Sequence, residues 1–272
     1  MRRFMYKLIA IDMDGTLLKE DKTISDMTKK AIKSAKKRGV KVVIASGRPV
    51  QGLTRYLEEL ELIGENEYVL SFNGAMIQNT KTKEVIGKTV LKGSDLRYLY
   101  NLSKELGLNI HAFTDNGCIT PKMSKYTEVE ATINGIEVGI VDFNEVSVEE
   151  DIAKVMMVDE PEILEAAIEK LPKEVYEKYT VVRSAPYFLE FLNKESNKGE
   201  GVRALAEHLG IKQEEVICVG DAGNDLHMIE FAGLGVAMGN AFDEVKQVAN
   251  YVTSTNEEDG VAEVIEKFIL AG

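Results

Sequence analysis

The chain has 272 residues, 44% hydrophobic and 29% charged, enough for a sizeable core and unlike a disordered or collagen-like composition. Its formal net charge of −12 argues against nucleic acid or an anionic membrane surface as partner, so any phosphate it binds must be held by local cations. Length allows one large domain or a core with a second, smaller one.

Leu8-Ile9-Ala10-Ile11 is short, apolar and rich in branched residues, and reads as a buried parallel strand whose carboxyl end presents Asp12 and Asp14. Side chains in a strand repeat every two residues, so both carboxylates can point the same way while Gly15 turns the chain just after them. Ser25 caps a helix running to about Arg38, with Met27, Ala31 and Ala35 on one face and Gly39 as its stop. Val40 to Ala45 is a second buried strand, ending in the polar loop Ser46-Gly47-Arg48-Pro49. A helix near Gln51 to Leu60 and a strand near Tyr68 to Ser71 follow. Alternation of this kind makes a doubly wound parallel sheet with right-handed crossovers.

The pattern changes after Asn73-Gly74. Ala75 to Gln78 and Val85 to Leu91 read as a hairpin, and Ser94-Asp95 opens a helix carrying Leu96, Leu99, Leu102 and Leu106. Strands recur near Asn109 to Thr114, Glu137 to Asp142 and Lys154 to Asp159, followed by a helix near Glu162 to Leu171 and strands near Thr180 to Ser184 and Phe188 to Leu192. The strand-helix rhythm resumes at Lys198. Val216 to Val219, Leu234 to Met238 and Tyr251 to Thr253 are the last core strands, with helices near Asp225 to Phe231, Asp243 to Val248 and Gly260 to Leu270. The expected architecture is α/β, with a discontinuous core of residues 1–82 and 194–272 and an α+β insert of residues 83–193.

Cys118 and Cys218 do not suggest a disulfide framework, and no run approaches the length of a membrane span. The start from Met1 to Tyr6 lacks the apolar stretch and cleavage site of a secretory signal, so a cytoplasmic location is expected. His111, His208 and His227 are scattered without the spacing of a zinc site and read as structural.

Polar clusters stand at core strand ends or helix starts: Asp12 to Thr16, Ser46-Gly47-Arg48, Asn197-Lys198-Gly199 and Gly220 to Asp225. In a parallel sheet these ends share one edge, where open α/β sheets bind ligands. The Ser46 hydroxyl and backbone N–H groups at Ser46-Gly47 suit phosphate oxygens. Lys198 at a helix N-terminus supplies positive charge, and Asp221 can complete a metal site with Asp12. Each has a plainer reading alone: Ser46 as a cap, Lys198 as a solvated charge, the Gly220 segment as a turn. Their order at strand ends favours one shared site.

On these residues the chain resembles the haloacid dehalogenase-like hydrolases, whose four motifs match Asp12-x-Asp14-Gly15-Thr16, Ser46, Lys198 and Gly220-Asp221-x-x-Asn224-Asp225. The insert between the second and third motifs resembles a C2-type cap. Ser46-Gly47-Arg48, Asn73-Gly74, Asn197-Lys198-Gly199 and Val236 to Ala241 resemble the Cof-type sugar-phosphatase branch. The resemblance implies a Rossmann-like core sheet with a cap that sets substrate choice, and an insert placed between Ser46 and Lys198 can cover the carboxyl edge of that sheet and is expected to close over bound substrate. It also implies a Mg²⁺-dependent phosphatase acting on small phosphomonoesters, sugar phosphates or phosphorylated cofactors, through an aspartyl-phosphate.

By the same resemblance Asp12 is the nucleophile and Asp14 the acid–base. Asp12, Asp221 and Asp14, the last through its backbone carbonyl, hold the metal. Met13, Ser46, Gly47, Lys198 and Asn224 bind phosphate, and Thr16, Arg48 and Asp225 support them. Asp225 is expected to orient Lys198, and Arg48 either to meet substrate or to pair with a carboxylate.

A carboxylate closing on a phosphate dianion meets repulsion of roughly 10 kcal/mol at about 3 Å with an effective dielectric near 20, which calls for a divalent cation. Proton transfer by Asp14 calls for a pKa above the free value, which neighbouring carboxylates would supply. Two rival readings are a phosphomutase with the same covalent intermediate and a phosphate-binding or phosphoacceptor module that does not turn over. Intact Asp14 and Lys198 speak against the latter. In the insert, Tyr126, His111 and Glu128 either line a pocket or serve packing and surface.

Overall fold

The computed structural model describes residues 6–115 and 117–271, so Met1 to Met5 of the segment read as lacking a secretory signal lie outside the described residues. The chain divides into two compact units, Met1–Lys88 with Asn197–Gly272, and Thr89–Ser196. No helix among the described residues is long and apolar enough to cross a membrane.

In the first unit, β1 (Leu8–Ile11), β2 (Lys41–Ala45) and β3 (Tyr68–Ser71) are buried along nearly their whole length, as parallel strands covered on both faces must be. The crossover helices are α1 (Asp26–Lys37) and α2 (Val50–Glu59). Ser25 caps α1 by accepting the Thr28 N–H at 3.0 Å. The buried stripe of α1 is Thr28, Ala31, Ile32 and Ala35. Met27, expected on that stripe, lies about 100° round the helix from Thr28 and is 47% exposed.

The antiparallel hairpin of β4 (Met76–Asn79) and β5 (Val85–Lys88) extends the same sheet, with Met76 opposite Lys88. The expected boundary at residue 82 cuts this hairpin. Backbone pairing keeps β5 with the core, and the division falls after Lys88.

The second unit runs β6 (Leu91–Lys92), α3 (Gly93–Leu106), β7 (Asn109–Thr114), β8 (Gly117–Thr120), α4 (Lys125–Asn134), β9 (Val138–Ile140), β10 (Asp151–Val158), α5 (Pro161–Ile168), α6 (Lys173–Lys178), β11 (Tyr179–Ala185) and β12 (Phe188–Asn193). Among the described residues its sheet has the order β11-β12-β10-β7-β8-β9, with β6 beside β10. Ile110, Ala112, Val155, Met157, Leu189 and Phe191 cluster with helix residues such as Leu96, Leu99 and Leu164. The alternate positions His111, Lys154, Met156 and Glu190 belong to the other face.

On that other face Lys154 and Glu190 form a buried ion pair at 3.2 Å. His111 meets Thr127 Oγ1 and Met156 Sδ, each at 3.3 Å, and burial, with Lys154 adding to it, pushes its imidazole down to about 3. The sequence did not reveal β8, α4 or α6. The buried residues of α4 are Tyr126, Thr127, Glu130 and Asn134, so it carries no apolar stripe to read. Tyr126 stacks on Tyr187 and donates its hydroxyl to Glu160 at 2.6 Å, which are packing roles, and Glu128 is exposed.

The chain returns to the first unit through α7 (Lys198–His208), β13 (Val216–Gly220), α8 (Leu226–Phe231), β14 (Leu234–Ala237), α9 (Asp243–Val248), β15 (Tyr251–Val252) and α10 (Gly260–Ile265). Among the described residues the core sheet is β15-β14-β13-β1-β2-β3-β4-β5, parallel from β15 through β3. The chain winds one way from β1 through β2 to β3, and the other way from β13 through β14 to β15. Right-handed crossovers therefore place α1 and α2 on one face and α8 and α9 on the other. Helix α10 packs on α1, and α7 on α8.

Strand β14 presses on α8 at Gly235, where an added Cβ would lie 2.2 Å from the Ile229 carbonyl oxygen. Gly235→Ala should therefore destabilise the fold by about 2 kcal/mol, the usual cost of overpacking, read as a fall in the midpoint of urea unfolding.

Candidate active site

Strand β1 lies between β13 and β2, where the winding direction reverses, the place at which open parallel sheets bind ligands. Asp12, Ser46 and Asp221 each follow one of these three strands. The Asp12 N–H donates to the Val219 carbonyl at 2.9 Å, continuing the β1–β13 ladder. Past it the chain folds tightly, with the Leu17 N–H on the Asp12 carbonyl and the Leu18 N–H on that of Met13. Gly15 has φ +85°, and a Cβ there would sit 2.4 Å from Asp221 Oδ2, so the turn admits glycine alone.

Lys198 opens α7, whose N-cap Asn197 accepts the Glu200 N–H at 2.9 Å. Its ammonium has no exposure and is shared between Asp12 Oδ1 and Asp225 Oδ1, the latter at 2.7 Å. Burial disfavours that charge, but the two carboxylates outweigh it and raise the Lys198 pKa above the usual lysine value. Asp225 Oδ2 accepts the N–H groups of Asp221 at 2.9 Å and Ala222 at 3.0 Å. Both Asp225 oxygens are thus engaged in holding Lys198 and the loop after β13.

Asp221 Oδ1 accepts the Thr16 hydroxyl at 2.7 Å. Oxygens of Asp12, Asp221 and Asp225 lie within 4.8 Å of one another, with Lys198 as the ammonium among them. Burial, and then the neighbouring carboxylates, raise the pKa of Asp12 well above the ordinary value, Lys198 opposing; Asp221 is raised by burial first and then by Asp225. Three carboxylates against one ammonium leave an excess of negative charge on hard oxygen donors, and a divalent cation fits that set. With Asp225 engaged, Asp12 and Asp221 are the side chains left to hold one.

The Asp14 side chain is not in this group. Arg48 grips it in a fork, Nε to Oδ2 at 2.8 Å and Nη2 to Oδ1 at 2.7 Å, and Lys22 Nζ adds a bond to Oδ1 at 2.9 Å. Its carboxylate is turned to these cations and away from the Asp12 group. Burial pushes the Asp14 carboxyl up, but the Arg48 and Lys22 bonds and charges outweigh it, and its pKa lies below the ordinary value. The expected upward shift is thus reversed, because the neighbours that decide it are cations. Arg48, left open between substrate and carboxylate, pairs with a carboxylate.

Ser46 is 2% exposed, its hydroxyl oxygen accepting the Arg48 N–H at 3.2 Å. The Asn73 N–H donates to the Ser46 carbonyl at 2.9 Å, and Asn73 Oδ1 accepts from Asn224 Nδ2 at 2.9 Å. A Cβ on Gly47 would lie 3.2 Å from the Asn73 amide, and one on Gly74, at φ +85°, 2.4 Å from the Asn197 carbonyl oxygen. The Asn73-Gly74 turn therefore knits together the loop after β2, the loop after β13 and the start of α7. Met13 is fully buried in the core, so its side chain cannot meet a phosphate and only its N–H is suited to one.

Three residues of this neighbourhood carry no role that the sequence assigns. Asn73 stands in the Asn73-Gly74 pattern that resembles the Cof-type branch. Asn240, whose amide donates to the Gly15 carbonyl at 2.8 Å, lies within another. Lys22 sits in the charged run Lys19-Glu20-Asp21-Lys22, which carries no signal that one member turns back to Asp14.

Residues 9–265 match the model of the haloacid dehalogenase-like hydrolase family. YxeH of Bacillus subtilis is 48% identical over 269 residues, covering 98% of this chain and 100% of that protein. The 5-amino-6-(5-phospho-D-ribitylamino)uracil phosphatase YitU of the same organism is 34% identical, covering 96% and 97%. A solved haloacid dehalogenase-like hydrolase from Bacteroides thetaiotaomicron superposes with a TM-score of 0.86 at 37% identity, covering 96% of this chain and 99% of that one. With its sequence, fold and clustered motif residues in agreement, this chain belongs to the haloacid dehalogenase-like hydrolases and is a phosphoric monoester hydrolase.

Proposed function

We propose that the enzyme hydrolyses small phosphomonoesters in two steps through a phosphorylated Asp12, with Mg²⁺ as its metal. The observation that carries this reading is the buried Lys198 ammonium on Asp12, with Asp221 facing the same space. Held by Asp12, Asp221 and the Asp14 carbonyl, Mg²⁺ supplies the positive charge that a carboxylate needs to approach a phosphate dianion.

In the first step the Asp12 carboxylate bonds to phosphorus as the ester P–O bond breaks, and Asp14 gives its proton to the departing oxygen. In the second, Asp14 takes a proton from water whose oxygen displaces Asp12 from phosphorus. Ser46, the N–H groups of Met13 and Gly47, Lys198 and Asn224 hold the phosphoryl oxygens, since positioning and charge stabilisation are most of phosphoryl-transfer catalysis. Arg48 and Lys22 favour the base form of Asp14. The charge of an entering phosphate ester works against them and brings the acid form within reach.

The leaving group, on this reading, is a sugar, a polyol or part of a phosphorylated cofactor. Support comes from YitU, whose named substrate carries its phosphate on a ribityl chain. The unit Thr89–Ser196 is assigned the choice among leaving groups and the first unit the phosphate.

Asp12→Asn should reduce turnover to background while the protein remains folded. A ³²P-labelled substrate should label wild type on Asp12 and leave the variant unlabelled, and turnover by the variant near the wild-type rate would refute the covalent step. Asp221→Asn should raise the Mg²⁺ concentration needed for half-maximal activity, and full wild-type activity in excess chelator would exclude the metal. Lys198→Ala is unsuitable for that comparison: stranding two buried carboxylates should cost about 3–5 kcal/mol of stability, visible as a large drop in Tm. Substitutions in Thr89–Ser196 that alter preference among sugar phosphates should leave acetyl phosphate hydrolysis nearly unchanged. Equal slowing of every ester would show that this unit only supports the fold.

A further inference from the structure

A carboxylate offers four in-plane acceptor positions, two on each oxygen. On Asp14, Arg48 takes one of each pair, through Nη2 on Oδ1 and Nε on Oδ2, and Lys22 Nζ takes the second on Oδ1. Among the described residues, one position is left, on Oδ2.

Lys22 reaches that point from the last position of a tight turn. Its φ is 64°, in the left-handed region that a residue with a Cβ rarely occupies. Its N–H donates to the Lys19 carbonyl at 2.9 Å, the Lys19 N–H donates to the Thr23 carbonyl at 3.0 Å, and the Tyr56 hydroxyl donates to the Lys22 carbonyl at 3.2 Å. The pair it makes is open to solvent, with side chains 51% and 41% exposed, and pairs of that kind add little to stability. The turn itself accounts for the left-handed backbone, since three-residue hairpin loops commonly end in such a residue, and what the contact adds is the occupation of Oδ1 rather than stability.

We propose that Lys22 is a positioning residue: by closing Oδ1 it makes Oδ2 the oxygen through which Asp14 passes its proton. The inference rests on the acid–base role proposed for Asp14. In the first step the proton on Oδ2 moves to the ester oxygen as the P–O bond breaks and the Asp12–phosphorus bond forms. In the second, a water proton moves to Oδ2 as the water oxygen bonds to phosphorus and the Asp12–phosphorus bond breaks. Without Lys22 both oxygens have an open position, and the proton is divided between them.

The test compares p-nitrophenyl phosphate with phenyl phosphate, leaving groups of nearly the same shape of which only the second needs a proton to depart well. The value of kcat/KM reports the steps up to transfer to Asp12. In Lys22→Met it should fall on the order of tenfold further for phenyl phosphate than for p-nitrophenyl phosphate, part of the 10²–10⁴-fold that general acid catalysis provides. Lys22→Arg should recover most of the difference. An equal fall for both esters, or none for either, overturns the role of Lys22. Asp14→Asn separates the two layers. If it shows a leaving-group difference and Lys22→Met does not, Lys22 alone is misassigned; if it shows none, the acid–base reading of Asp14 fails and this inference with it.

Discussion

Lys198 carries a positive charge with no access to water, and the centre is arranged around it. An ammonium can be buried only if carboxylates and hydrogen bonds replace its hydration. Asp12 and Asp225 do so from two different strand ends. Because Asp225 uses its other oxygen to fix the N–H groups of Asp221 and Ala222, the same ammonium indirectly sets the position of Asp221. The packing about α7 leaves little slack: a Cβ on Gly199 would lie 2.5 Å from the His227 carbonyl oxygen, and one on Gly201 2.9 Å from the Gly74 Cα.

Cations divide the two carboxylates of the first motif between them. Asp12 is paired inward with Lys198, and Asp14 outward with Arg48 and Lys22. The first pairing is dry, so its electrostatics are strong and its geometry fixed. The second is partly open to water, where charges are screened and side chains can exchange partners. On the proposed mechanism, a nucleophile that must stay in place and a proton carrier that must change state have opposite requirements, and the burial of the two carboxylates suits them accordingly.

The core was readable because its signals are local. Four-residue apolar runs bounded by glycine and polar residues mark β1, β3, β13 and β14, and the capping serine of α1 lies where the structure uses it. The motif residues were readable in kind, and their sharing of one sheet edge followed from the parallel topology. What escaped depended on tertiary partners. The direction of the Asp14 shift turns on Arg48, 34 positions away, and on Lys22, which a tight turn brings back to Asp14 from a run of charged residues that gives no sign of it. The helix α4 hides its polar buried face among residues that pass for surface, and β5 reads as part of the insert because a hairpin signal does not say which sheet receives it.

The bond between Asp12 and Lys198 joins residues 186 positions apart in sequence. Strand β1 pairs with β2 on one side soon after it is made, but on the other it waits for β13, Leu8 facing Val216. At ribosomal speeds of 5–20 residues per second that interval is roughly 10–40 s. Through it a nascent chain carries an apolar strand with one edge open and Asp12 without its ammonium. The unit Thr89–Ser196 emerges in that interval, with a sheet and core of its own. A chain cut short before Lys198 would thus hold a folded second unit beside a half-built sheet exposing an edge suited to pairing with other chains, so truncated products of this protein are candidates for aggregation and prompt proteolysis.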